Sequence, residues 1–397
     1  MYSFFETTWI VASKLNTRRR TQPDVAANSH DAAIRHAPFY VDWIKAVHIP
    51  DGYLSPATCG ALGMASAPFW YVSLRRLKRA MNTRMIPLMS VFAAFSFIIM
   101  MFNLPLPGGT TGHAVGVGIA TIVLGPWASI VAISIALVIQ AVLFGDGGIT
   151  AIGANCFNMA IVASLTAYAV YRIVAGRAAV ESPRRVFAAA LAGYISINVA
   201  ALAAAIEFGI QPIFYRDATG APLYAPYPLH ITIPAMMIGH LTVAGLAELV
   251  VSAGVVAYLQ RADPGLLAYT APGAAVTGSR SWKSTKPLWA ALAVLMVLTP
   301  LGILAAGSAW GEWAPEDFAS QSARARIAVV SGNQMPPASA PAGLRRLASF
   351  WTAPMPRYAP PLLRSAVFGY LLSALAGTGM IILVCLLAGW VAQWRAP

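Results

Sequence analysis

The chain has 397 residues, of which 58% are hydrophobic and only 10% charged. Soluble domains carry about 25% charged residues, so a soluble enzyme is excluded, and the apolar content excludes a disordered chain. The 27 Lys and Arg against 14 Asp and Glu give a net +13, which is the loop bias of a multi-span membrane protein rather than a nucleic-acid footprint.

Residues 1–46 are polar, carry Arg18-Arg19-Arg20 and contain no span. A bilayer-crossing helix takes roughly 20 apolar residues. Candidates lie at 54–73, 85–103, 113–124, 126–144, 151–174, 186–208, 231–259, 287–307 and 365–392. Gly125-Pro126 turns or kinks the chain between the third and fourth, and 113–124 is too short to span alone. These segments predict an all-α, polytopic helical membrane fold. A seven-segment core covers 47–262, a linker 263–286, and a two-span C-terminal hairpin with a long outer loop 287–397.

Basic clusters set the orientation. Arg75, Arg76, Lys78, Arg79 and Arg84 follow the first span, Arg172, Arg177, Arg184 and Arg185 separate the fifth and sixth, and Arg261, Arg280, Lys283 and Lys286 follow the seventh. All fall on one side if the spans alternate, which is the cytoplasm by the positive-inside rule. The loops at 104–112, 145–150 and 209–229, the segment before Tyr53 and the stretch 308–363 then face outward. Small residues such as Gly60, Ala61 and Gly63 predict tight packing inside the bundle. Cys59, Cys156 and Cys385 form no CxxC pair or zinc spacing and read as packing residues.

The chemistry rests on a few histidines. His30 and His36 lie in the polar leader, and His230 begins the seventh span. His113 follows the flexible loop Pro107-Gly108-Gly109-Thr110-Thr111-Gly112 at the outer start of a helix. His48 sits in Val47-His48-Ile49-Pro50-Asp51-Gly52-Tyr53, on the same outer face. Imidazole is the commonest metal ligand, so His48 and His113 are candidate ligands of a late transition metal, although two donors alone give no selectivity. His240, Glu248 and Glu207 lie within spans, and a structural role is expected for His240 and Glu248. No HExxH occurs, and Gly278-Ser279-Arg280-Ser281-Trp282-Lys283-Ser284 puts Trp282 where a P-loop needs its second glycine. The chain therefore offers no ATPase motif of its own, and no recognisable nucleophile–base set points to an enzyme.

Three ordered motifs carry a resemblance to a known family. His48-Ile49-Pro50-Asp51-Gly52-Tyr53-Leu54-Ser55, Pro107-Gly108-Gly109-Thr110-Thr111-Gly112-His113 and the run from Leu143 to Asn155 resemble CbiM/NikM. These are the substrate-binding membrane subunits of energy-coupling factor transporters for cobalt and nickel. The resemblance covers 47–262. The tail 287–397 looks like the fused CbiN-like region of some members, through Thr299-Pro300-Leu301-Gly302 and Gly311-Glu312-Trp313.

That resemblance implies a capture subunit in the bacterial inner membrane with an outward metal site. It would work with a CbiQ-like coupling subunit and CbiO-like ATPase subunits, with cobalt(II) or nickel(II) as transported substrate and no cofactor of its own. Cobalt is the favoured ion. The family's site uses a Met-His chain start, whose amine, deprotonated amide and imidazole chelate the metal, joined by a histidine at the position of His113. Four planar nitrogens suit nickel(II) and low-spin cobalt(II) better than zinc. Here the matching histidine is His48, and Val47 supplies an amine only if translation begins there, through a GTG start codon. A start at Val47 is expected, because no apolar export signal precedes it. A stand-alone secondary transporter or channel is the competing class. It predicts repeated halves with polar broken helices, and the chain has no internal repeat.

Overall fold

A computed structural model describes residues 48–80, 85–270, 286–305, 307–360, 362–363 and 365–394. The leader, Val47, Arg84, Arg280, Lys283 and most of the linker lie outside the described residues.

The Pro50–Tyr53 turn feeds α1 (Pro56–Ala80), followed by α2 (Met85–Met100). A small antiparallel hairpin pairs β1 (Leu104–Leu106) with β2 (Thr110–Gly112). Its loop holds Gly108 and Gly109 at φ +85° and +84°, a region that residues with a Cβ avoid. Helix α3 (Val117–Leu124) turns at Gly125 into α4 (Pro126–Ile139). Then come α5 (Ile152–Asn155), α6 (Ala163–Ala175), α7 (Pro183–Phe214), α8 (Leu229–Gly239) and α9 (Gly245–Ala262). The C-terminal region contains α10 (Lys286–Leu298), three short helices, α11 (Pro315–Ala319), α12 (Gln321–Val330) and α13 (Ala342–Leu347), and the long α14 (Ala366–Trp394).

Among the described residues six helical stretches are long and apolar enough to cross a membrane: Pro126–Phe144, Ile152–Ala175, Pro183–Phe214, Leu229–Ala262, Lys286–Leu304 and Ala366–Trp390. The chain is a multi-pass helical membrane protein. The other expected segments fold as helices of different extent. Helix α1 runs on through Arg75, Arg76 and Lys78, α2 has 16 residues, and α3 has eight, about 12 Å at 1.5 Å per residue. The expected segment at 113–124 starts as helix only at Val117, because Gly116 adopts φ 73°.

Small residues bring α3, α7 and α9 into contact. A Cβ on Gly118 would meet the Cα of Gly193 at 2.8 Å, and one on Gly193 would meet the carbonyl of Glu248 at 2.8 Å. Such backbone approach is the usual work of small residues in membranes, where burial in lipid offers no hydrophobic gain. Arg185 departs from its reading as a loop charge. It is buried, and its guanidinium donates to the carbonyls of Ala178 and Ala179 and to the Tyr171 hydroxyl.

The hydrogen-bond ladder widens to π turns at Gln140–Phe144, Cys156–Val162 and His240–Ala244. The last two border one cavity, through Asn158, Met159 and His240. Helix α7 contributes to that cavity from Ile197 onward, about 21 Å along its axis from Pro183 at 1.5 Å per residue. The basic ends of α1, α7 and α9 and this cavity therefore sit toward opposite ends of the bundle.

Candidate metal site

The motif around His48 and the run from Leu143 to Asn155 are two halves of one substructure. Asn155 clamps the Ile49 backbone, accepting from its N–H at 3.0 Å and donating to its carbonyl at 3.1 Å. The Gly148 N–H donates to the same carbonyl at 2.9 Å. In return the Asp51 carboxylate accepts from the backbone of Ile149 and Thr150 at 3.1 and 2.8 Å and from the Thr150 hydroxyl. Any Cβ on Gly148 would lie 2.3 Å from the Asp51 nitrogen, so only glycine lets the two segments meet.

This docking buries His48. Its Nδ1 sits 2.8 Å from Oδ1 of Asp146. The other Asp146 oxygen accepts from the Tyr358 hydroxyl and from Gln140 Nε2. Burial alone would raise the Asp146 carboxyl. The neighbouring His48 and the bonds from His48 and Tyr358 outweigh it and hold the group well below the usual carboxylate range.

The hairpin delivers His113 to the same place. Its Nδ1 lies 3.1 Å from the Ala114 carbonyl. Glu248, on α9, fixes the following backbone: its carboxylate accepts from Val115, Gly116 and Gly118 N–H at 2.8, 2.9 and 3.1 Å. A carboxylate at the start of α3 satisfies donors that a helix leaves open and complements its dipole. The structural role expected of Glu248 is thus observed.

The two imidazoles meet with ring centroids 5.0 Å apart. Both are buried, and Nε2 of each has no hydrogen-bond partner among the described residues. Buried polar atoms are rarely left so. Burial, with His48 alongside, lowers His113 to about 3, so its ring stays neutral and keeps a lone pair. Both rings line a cavity of about 90 Å³ together with His240, Asn155, Asn158 and Glu312, where about 10–15 Å³ suffices for one water. Among the described residues no group of three or more His, Cys, Asp or Glu is arranged to hold a metal ion.

His240, expected to be structural, lies beside the site. It lines the cavity, with Nδ1 2.8 Å from the Met236 carbonyl. Glu207 pairs with Asn158 at 2.8 Å. Sequence reasoning gave no role to Asp146 or Gln140, and Tyr358 and Trp310 lie in the C-terminal region, far from the motifs. The acid inside a Gly-Asp-Gly-Gly run was the available signal.

The family model described as a cobalt uptake substrate-specific transmembrane region, CbiM, matches residues 48–266. The chain is similar to the fused nickel transport protein NikMN of Rhodobacter capsulatus, 56% identical over 85% of this chain and 95% of that protein. It is also similar to the probable fused nickel transport protein LarMN of Lactiplantibacillus plantarum, 44% identical over 71% of this chain and 82% of the relative. A crystal structure of a truncated transition metal transporter superposes with a TM-score of 0.51 at 48% identity, covering 54% of this chain and 98% of the other. With the match spanning more than half of its length, this chain belongs to the CbiM family.

Proposed function

We propose that the chain is the metal-capture subunit of an ATP-driven importer, with His48 and His113 as the imidazoles that receive the ion. The observation that carries this reading is the pair of buried rings whose Nε2 atoms lack partners and line one cavity. Residues 47–262 form the capture core, and 287–397 assist loading. Glu312 of the C-terminal region lines both this cavity and a larger one of about 460 Å³ beside Asp51 and Arg345, which suits an entry route. The basic helix ends face the cytoplasm of the inner membrane, and the metal enters from outside. A CbiQ-like membrane subunit and CbiO-like ATPases supply the energy.

Nickel(II) is the favoured substrate, in place of the cobalt expected from sequence. Both fused relatives carry nickel in their names. The family model's description supports cobalt as the second reading, and a ligating nitrogen accepts either ion.

Coordination depends on where the chain begins. His48 here directs Nδ1 to Asp146, which leaves Nε2 for the metal in a chain that starts at Met1. In a chain that starts at position 47, the amine and amide add two nitrogens. The chelate then takes Nδ1 from Asp146.

The test is uptake of nickel and cobalt by cells expressing the chain with and without coupling and ATPase subunits. Metal accumulation that needs those partners supports the capture role. Equal accumulation by the chain alone would favour a stand-alone transporter or channel.

A further inference from the structure

We propose that Glu312, from the C-terminal region, is a transit ligand on the entry path: its carboxylate takes the incoming divalent ion from the outer cavity and passes it to the imidazoles of the inner one. The inference deepens the capture reading above and rests on it.

The two cavities share one wall. Among the described residues that line either, Glu312 alone lines both. It is also the only carboxylate-bearing residue of the inner cavity, where His48, His113 and His240 supply nitrogens. The outer cavity mixes charges, with Asp51, Glu316, Arg345 and Arg357 in its lining. There the Asp51 carboxylate is already occupied by Ile149 and Thr150, and Glu316 is exposed. A Cβ on Gly147, in the same lining, would lie 3.0 Å from that of His48, so the outer cavity backs onto the capture site.

Segment 307–313 holds Glu312 at this junction. It runs from the hairpin that carries His113 to the turn that follows His48. The Thr111 N–H donates to the Ser308 carbonyl at 3.3 Å, and the Tyr53 hydroxyl donates to the Trp313 carbonyl at 2.7 Å. Trp310 and Trp313, before and after Glu312, are buried with ring centroids 5.3 Å apart. The Trp310 indole N–H donates to the Ser331 hydroxyl at 3.2 Å, and the Glu312 N–H donates to the Ala309 carbonyl at 3.2 Å. Gly311 adopts φ 87°, and a Cβ there would meet the Phe208 ring at 2.8 Å, so glycine lets the segment lie this close to α7.

An incoming divalent ion carries a shell of water. A carboxylate at a narrow place attracts the ion by charge and lends oxygen in place of water, as the acidic rings of cation pores do. A ligand on a path must also let go. Carboxylate oxygen suits hard ions, whereas late transition ions prefer imidazole nitrogen, so the ion moves on to the histidines. This holds whichever nitrogen His48 turns to the metal, and whether or not a chain start adds an amine.

The test follows nickel(II) binding by stopped-flow tryptophan fluorescence, on the 397-residue chain in detergent and on the form that starts at position 47. Glu312→Gln keeps the shape and removes the charge. Association should slow about tenfold. Dissociation should slow by the same factor and equilibrium affinity should hold, because a residue met in passage changes the barrier and neither end. Glu312→Asp keeps the charge and should stay nearer the parent rate. Glu316→Gln removes an exposed charge from the outer cavity alone and should leave both rates at parent values. If Glu312→Gln fails to fold, Glu312→Cys puts the same question, since Cys59, Cys156 and Cys385 are buried. A sulfonate-bearing thiol reagent should speed nickel association on that variant, and a trimethylammonium-bearing one should slow it. Unchanged rates in Glu312→Gln, or weaker affinity through faster dissociation, would overturn the transit role while the capture site stands. Equal slowing in Glu316→Gln, or equal rates with the two thiol labels, would overturn it too. No metal on either parent form would instead overturn the proposed function, and the role of Glu312 with it.

Discussion

His48 and His113 meet edge to face, with centroids 5.0 Å apart and planes at 61°, although α1, α2 and the hairpin separate them in the chain. Among the described residues neither Nε2 has a hydrogen-bond partner, and both rings line one cavity.

Replacing His113 by Ala removes one of the two donors. Nickel affinity should drop by two orders of magnitude or more, about 3 kcal/mol or greater at 1.4 kcal/mol per tenfold. The bundle should keep its helical signal. Equilibrium dialysis with metal analysis reads the first, circular dichroism the second. Retention of full affinity would remove His113 from the site.

The chain start should change both stoichiometry and colour. A form that begins Met-His-Ile at position 47 gains an amine and an amide, and should hold about one nickel per chain in a planar, diamagnetic site. Because that amide must lose a proton, its affinity should rise with pH. The 397-residue chain should bind more weakly and remain paramagnetic. Identical magnetism and affinity in the two forms would count against the chelate.

Glu248 should matter without touching metal. Glu248→Ala strands the N–H groups of Val115, Gly116 and Gly118. At about 1–3 kcal/mol for each buried donor left open, the loss should amount to several kcal/mol, with His113 loosened as a consequence. Glu248→Gln keeps an acceptor oxygen and should lose less. Thermal unfolding in detergent ranks the three proteins, and equal melting temperatures would argue against the cap.

Acid should weaken the fold through His113. Its folded value, about 3, lies below the ordinary 6.5. Between these limits the unfolded chain binds the proton and the folded chain does not. Stability contributed at this position therefore falls as pH drops from about 6.5 toward 3, by about 1.4 kcal/mol per unit. Melting temperature followed from pH 7 to 4.5 should decline less steeply in His113→Ala than in the parent. Parallel curves would mean that other groups carry the acid sensitivity.

Much was already legible in the residue string. Low charge and long apolar runs determined a polytopic helical protein, because lipid leaves only helices and closed barrels able to satisfy the backbone. Local motifs with unusual glycine demands, as at Gly148 against Asp51, picked out His48 and His113, since such glycines record where segments must touch.

The rest belonged to tertiary structure. Segment 113–124 has the composition of a span, yet Gly116 and Gly125 cut its helix to eight residues, a backbone outcome that hydropathy does not register. His240 gave no sequence sign of sharing the site, and the tertiary fold brought it to the cavity. The bond from the Tyr358 hydroxyl to Asp146 had no signal at all, because its two partners lie 212 residues apart. Composition and local pattern fix what a segment is, through lipid and backbone chemistry. Which side chains share a cavity depends on helix packing and on the fold of the C-terminal region, where each contact exists only once both partners are in place.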